Sequence, residues 1–242
     1  ESLTQGDSHY WGVWWGKEPF EIYEQKVGRF MSEYGFQGMP NLETLQKVMR
    51  KEDLNFTSEA FKNHQKHPTG YETINEYMER DYEVPKDIED YLYVSQLLQA
   101  RGMKTAIEAH RRAKPYCMGT LFWQFNDCWP VTSWSSLDYY GNWKAFHYQA
   151  KRSFENVLLS AEVTDSGVYK FFVINDGMQN YAGELKAEIR NFIGQLLWEK
   201  KAYCKSDASS NVAAILLPFP SLKEIDTQNS YIKLEFISGE NH

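Results

Sequence analysis

The chain has 242 residues and carries 26 Lys and Arg against 33 Asp and Glu, a net charge of −7; that length suits one large domain or two ordinary ones. The acidic balance has no basic block, which excludes the counterion-displacing surface that a nucleic-acid partner needs, and no apolar run approaches the roughly 20 residues of a membrane span. The cysteines Cys117, Cys128 and Cys204 show neither CxxC nor metal-ligand spacing, so they read as buried thiols with room for one disulfide and no need of one.

In chain order, residues 1–40 are rich in aromatics and glycine, with loop character over 8–19 and a short amphipathic helix expected over 20–30. A brief strand, 29–32, ends at Glu33-Tyr34-Gly35. A helix is expected from Pro40-Asn41 through Met49 with Asn41 as N-cap, then a polar turn over 64–70. A long 3.6-residue pattern starts at Pro85 and runs to about Ala113, with Gly102 as a kink or interruption. The run 118–123 is continuously apolar and of strand length, which suits a strand buried on both faces of a parallel sheet. A helix over 143–152 closes this half.

Beyond Phe154 the texture changes. Short strands are expected at 157–163, 169–174, 184–192, 195–204 and 232–236. Turn signals separate them at Asp165-Ser166-Gly167 and Asn175-Asp176-Gly177, and the spacing predicts an antiparallel sandwich. The expected boundary is near residue 154, with α/β structure before it and all-β structure after it. About two strand–helix units precede that boundary, short of the ~250 residues of an eight-fold barrel, so the first part reads as the end of a barrel.

Two segments carry candidate chemistry. Glu33 follows a strand at the position where a carboxylate projects from the C-terminal rim of a barrel, where such enzymes build their sites; a surface Glu at a strand end fits the spacing as well. In 121–130 an apolar strand passes into alternating aromatic and polar residues. Trp123 there suits the floor of a sugar site, while Gln124, Asn126 and Asp127 suit hydroxyls, although a buried aromatic strand with Asp127 capping a turn fits equally. Ten aromatic residues fall between Phe122 and Tyr148, a density that serves either sugar stacking or core packing.

The blocks Arg29-Phe30-Met31-Ser32-Glu33-Tyr34-Gly35-Phe36-Gln37 and Phe122-Trp123-Gln124-Phe125-Asn126-Asp127-Cys128-Trp129-Pro130 resemble the nucleophile strand and the eighth barrel strand of the β-mannosidases of glycoside hydrolase family 2. The stretch from Ser133 to Gly141, with Trp143-Lys144 and His147-Tyr148, is similar to theirs, as is Ser8-His9-Tyr10-Trp11-Gly12-Val13-Trp14 to the loop after their sixth strand. The resemblance covers nearly all of residues 8–154. It implies an α/β part followed by an all-β part: the C-terminal portion of a (β/α)8 TIM barrel at 1–154, then an immunoglobulin-like β-sandwich at 155–242.

The resemblance also implies roles. Glu33 is the nucleophile of a retaining exo-β-mannosidase, forming a covalent glycosyl-enzyme, and Trp123 is a stacking platform under the terminal mannose. His9, Tyr10 and Trp11 line the pocket or scaffold its loop. Trp14 and Trp129 pack the core or loop, His147 is a structural helix residue, and Asp127 either binds substrate or holds its loop. The implied partner is a β-mannoside oligosaccharide or glycan, with no metal, no cofactor, no nucleic acid and no membrane. The sequence departs from the family in its acid/base. The Asn75-Glu76 pair follows Glu33 within a helical stretch, and none of Asp7, Glu18, Glu21 or Glu24 follows an Asn on a strand. The partner carboxylate is therefore expected outside these residues, and the chain alone is expected to be inactive. Two alternatives stay open: another exo-glycosidase of the same family (β-galactosidase, β-glucuronidase or exo-β-glucosaminidase), or a non-catalytic carbohydrate-binding module.

Overall fold

The structure, a computed structural model, describes residues 2–164, 166–218 and 225–239. The chain divides into two compact units, Glu1–Ser153 and Phe154–His242.

The first unit is built on a short parallel ladder. Strand β1 (Ser8–His9) pairs in parallel with β2 (Met31–Glu33). The segment 118–123 lies on the other side of β2, with Met118 N, Leu121 N and Trp123 N donating to Arg29 O, Met31 O and Tyr34 O at 2.8–2.9 Å. Only a bridge at Thr120 is regular there. The expectation of a strand buried on both faces does not hold: Met118 is 60% and Leu121 55% exposed. The segment pairs on its β2 side and has no ladder partner beyond it among the described residues, so its apolar side chains lack a covering layer.

Helices α1 (Leu42–Gln46), α2 (Glu59–Asn63), α3 (Gly70–Asp81), α4 (Ile88–Arg112) and α5 (Ala145–Ser153) complete the unit. In α4 the apolar period brings Tyr91, Leu92, Leu98, Met103, Ala106 and Ile107 into the core. Asp87 caps its start, accepting from Glu89 N at 2.9 Å and Asp90 N at 3.4 Å. Gly102 does not interrupt the helix, which runs unbroken from Ile88 to Arg112; a Cβ there would meet the ring of Phe20 at 2.3 Å, so the glycine lets that ring approach. Phe20 in turn packs edge-on against Phe36 at 5.0 Å, the preferred arrangement of aromatic pairs.

Two predicted helices are shorter than their patterns. Residues 20–30 give only a 3-10 turn, Phe20–Glu24, because burying Phe20 and Tyr23 needs one turn and the chain then turns toward β2. The helix expected to Met49 spans only α1. Asn41 precedes α1 but makes no side-chain cap; its Oδ1 accepts instead from Gln96 Nε2 of α4 at 2.7 Å. A tertiary bond has displaced the local one.

The second unit consists of two three-stranded antiparallel sheets. One runs β3 (Val157–Val163), β4 (Val168–Asn175), β7 (Ser210–Pro218); the other runs β6 (Leu196–Ser206), β5 (Tyr181–Asn191), β8 (Ser230–Ser238). Phe171, Val173, Leu185, Ala187, Ile189, Ile215 and Leu217 form their shared core, the inward-facing pattern of a sandwich. The sequence pattern misses β7, whose Val-Ala-Ala-Ile-Leu-Leu run lacks polar alternation. Of the turn at Asp165-Ser166-Gly167, Asp165 lies outside the described residues; Gly167 adopts φ +74°, as the reversal requires. At the other turn Asn175 donates to Gln179 O at 2.7 Å and accepts from Gly177 N at 2.9 Å. All three cysteines are free thiols, Cys117 and Cys204 buried and Cys128 exposed.

Candidate active site

The parallel ladder brings three strand ends to one place. Tyr10 N donates to Glu33 O and Trp123 N to Tyr34 O, both at 2.8 Å, so residues 9–11, 33–35 and 123 stand side by side at the C-terminal ends of their strands. The close approach depends on Gly35: a Cβ there would fall 2.2 Å from the Trp123 carbonyl oxygen and 3.3 Å from the Trp11 ring.

The Glu33 side chain is 28% exposed and held by the β1 loop. The Trp11 indole N–H donates to its Oε1 at 2.8 Å, a charge-assisted bond that fixes the carboxylate plane and leaves Oε2 free of that donor. His9 Nδ1 lies 3.8 Å from Oε2, and its Nε2 lies 3.6 Å from Asp7. Asp7 also accepts from Ser32 Oγ at 2.5 Å, which, with a smaller contribution from His9, keeps its carboxyl below the usual range. The order Asp7, His9, Glu33 thus puts an imidazole between two carboxylates.

Trp123 is 44% exposed and offers an uncovered indole one strand away from Glu33. Beneath them lies an aromatic wall. Trp134 meets Trp11 at 6.0 Å and Trp14 at 5.5 Å, and Trp14 packs on Phe36 at 5.2 Å, all edge-on. Trp14 is buried in this wall, as core packing requires.

Tyr10 and Asp127 have other commitments. The Tyr10 hydroxyl donates to the Glu18 carboxylate, and burial, with that bond, pushes the phenol well above its ordinary range. Asp127 is 6% exposed. One oxygen accepts from Ser133 Oγ at 2.6 Å and Ser135 Oγ at 2.5 Å, while the other pairs with Lys66 at 3.4 Å. Of the two roles open to Asp127 in the sequence, these contacts fit the loop-holding one. His147 accepts or donates at Ser136 Oγ, 3.0 Å away, and packs against Phe125 and Trp143. Asn75-Glu76 lies in α3, where Glu76 pairs with Lys17 and Arg80.

Sequence reasoning missed three participants. Asp7 was visible only as an upstream acid, and Lys66 and His67 only as part of a polar turn, although the His67 ring meets Trp14 at 5.9 Å and Trp15 at 4.6 Å. None has a local signal, because each reaches the site by tertiary contact. Among the described residues no group of three or more His, Cys, Asp or Glu could hold a metal ion, and no helix is long and apolar enough to cross a membrane. The arrangement present is a strand-end carboxylate, oriented by one indole N–H and flanked by a second, open indole.

Known proteins resemble this chain over most of its length. A family model described as a mannosidase Ig/CBM-like domain matches residues 167–242. The β-mannosidase of Rattus norvegicus is 30% identical over 207 residues, covering 80% of this chain and 23% of that protein. In structure, a β-D-mannosidase from Dictyoglomus thermophilum superposes with a TM-score of 0.90 at 32% identity, over 98% of this chain and 29% of that one. The exo-chitosanase of Amycolatopsis orientalis shares the fold, with a TM-score of 0.69 at 16% identity over 99% of this chain and 30% of that one. The chain spans less than a third of the length of each relative named here.

Proposed function

We propose that this chain, a homologue of the β-mannosidases over most of its length, supplies the nucleophile half of a retaining exo-β-mannosidase site. On this reading β1, β2 and the 118–123 segment are neighbouring strands of a (β/α)8 barrel, with α4 and α5 on its outside. Glu33 attacks the anomeric carbon of a terminal β-mannoside; its oxygen–carbon bond forms as the glycosidic bond breaks. A second, protonated carboxylate gives its proton to the departing oxygen, then takes one from the water that releases mannose. The retaining geometry places that carboxylate about 5–5.5 Å from the nucleophile. Among the described residues Asp7 is separated from Glu33 by the His9 ring, so the acid/base is assigned to polypeptide outside this chain. Trp123 stacks against the sugar, and Trp11 holds Glu33 in line.

The observation that carries this reading is the Glu33 carboxylate, half-open at a parallel strand end, oriented by Trp11 and next to an uncovered Trp123. Its test is covalent trapping of the intact protein with a 2-deoxy-2-fluoro-mannosyl fluoride, followed by peptide mass mapping. The label is expected on the peptide containing Glu33. A label on another residue would refute the assignment, and no label on any residue would favour a non-catalytic binding protein. Aryl glycosides of galactose, glucuronic acid and glucosamine, assayed beside the mannoside, check the sugar.

A further inference from the structure

We propose that the cavity between α2, α3 and residue 56 is a second saccharide-binding site, distinct from the Glu33 cluster. The inference rests on the reading above that the protein handles glycans. The cavity holds about 770 Å³, within the roughly 300–1,000 Å³ of small-molecule sites, and it shares no residue with the contacts of Glu33.

Its floor is aromatic. Phe56 stands edge-on to Tyr91 at 4.7 Å and to Tyr71 at 5.6 Å, and Phe56 is 37% exposed. That leaves an apolar ring surface of the kind that packs on the C–H face of a pyranose. Tyr91 is the telling residue. It is 3% exposed and lines the cavity, yet its hydroxyl has no hydrogen-bond partner among the described residues. The neighbouring Tyr71 hydroxyl is satisfied, donating to Phe61 O at 2.7 Å. The hydroxyl is not among the buried polar atoms left without a partner, so it opens onto the cavity, where it is free to meet a ligand.

The rim selects the ligand's charge. Burial, and after it the charges of Glu79 and Glu72 on one face of α3, hold the Tyr91 phenol protonated. Lys62 also lines the cavity, with its ammonium 3.4 Å from Glu59. Glu72, Glu76 and Glu79 make the lining acidic and disfavour an anion, while Asn75, which donates to Glu79 at 2.7 Å, adds an amide. Carboxylates, an amide and a hydroxyl around an apolar floor match the hydroxyl groups and C–H face of a sugar.

The experiment is a calorimetric titration of the intact protein with β-1,4-mannobiose after Glu33 has been blocked by the fluorosugar. Saturable binding is expected to remain, and Tyr91→Phe or Glu72→Gln with Glu79→Gln should weaken it about tenfold. Glu72 and Glu79 are exposed, so circular dichroism of that double variant should match the parent and separate lost binding from lost folding. No binding up to about 10 mM would overturn the proposal, as would binding that these substitutions leave unchanged. Saturation of the cavity by an arginine-rich peptide but not by mannobiose would overturn the ligand class. Mass mapping reports blocking of Glu33 separately. If the fluorosugar fails to label, the catalytic reading falls, and titration of the unlabelled variants still decides this one.

Discussion

Among the described residues Glu33 depends on Trp11 more than on any other side chain, since the indole N–H is its one side-chain hydrogen-bond donor there at 2.8 Å while His9 stands 3.8 Å away. A hydrogen bond to a charged group contributes about 1.5–3 kcal/mol. Trp11→Phe should therefore lower kcat/KM of the intact protein on an aryl β-mannoside by about 10- to 100-fold, with the circular dichroism unchanged; an effect under about threefold would show that the indole only packs. Glu33 and Trp123 stand out in the sequence because a strand-end Glu-Tyr-Gly and an apolar run ending in Trp are local patterns. The division of labour between Tyr10 and Trp11 is not legible there. It depends on Glu18 drawing the phenol away, a contact made by the fold of the loop.

At the scale of elements, α4 was legible because 25 residues of helical period with an Asp at the cap position leave little ambiguity. Its glycine was misread as a break because propensity was the only information available. Propensity alone makes Gly102→Ala worth about 1 kcal/mol of stabilisation. The added methyl, however, would lie 2.3 Å from Phe20. That ring is wedged between Phe36 and Tyr77, and the Tyr77 hydroxyl is tied to the Val13 and Glu18 carbonyls. Overpacking of this kind costs about 1–3 kcal/mol, so the steric effect prevails. Gly102→Ala should lower Tm, measured by thermal melting, and a raised Tm would show that the core yields. The 42–81 region, by contrast, was read only in part, because short helices such as α1 and α2 owe their limits to tertiary bonds.

Across the whole molecule, the change from α/β to all-β texture near residue 154 could be seen in strand spacing alone, whereas the electrostatic consequences of burial could not. Lys144 has one such consequence. It is 1% exposed, and its ammonium donates to Gly38 O at 2.8 Å and Ser133 O at 3.3 Å. Burial lowers its pKa to about 7, against the opposing pull of Asp127 and Asp138. Between about pH 7 and the ordinary 10.5 the unfolded chain holds the proton that the folded chain has lost, so this residue makes stability rise with pH. Burial raises the thiols of Cys117 and Cys204 above their ordinary 9.0, which reverses the slope above that value. The urea midpoint should climb from pH 7 to 9, and Lys144→Met should flatten the climb; an identical slope in the variant would show that the ammonium stays charged throughout.

The polar turn at 64–70 is a party wall. Lys66 and His67 look toward Asp127 and the tryptophans, while Gln65 and Pro68 look into the cavity above α3. Gln65 also braces the wall from within, donating to Pro68 O at 3.2 Å and accepting from Tyr71 N at 3.1 Å. A few residues therefore serve two rooms at once. Any insertion or deletion in that turn would remodel both, so the two sides can change only as a pair.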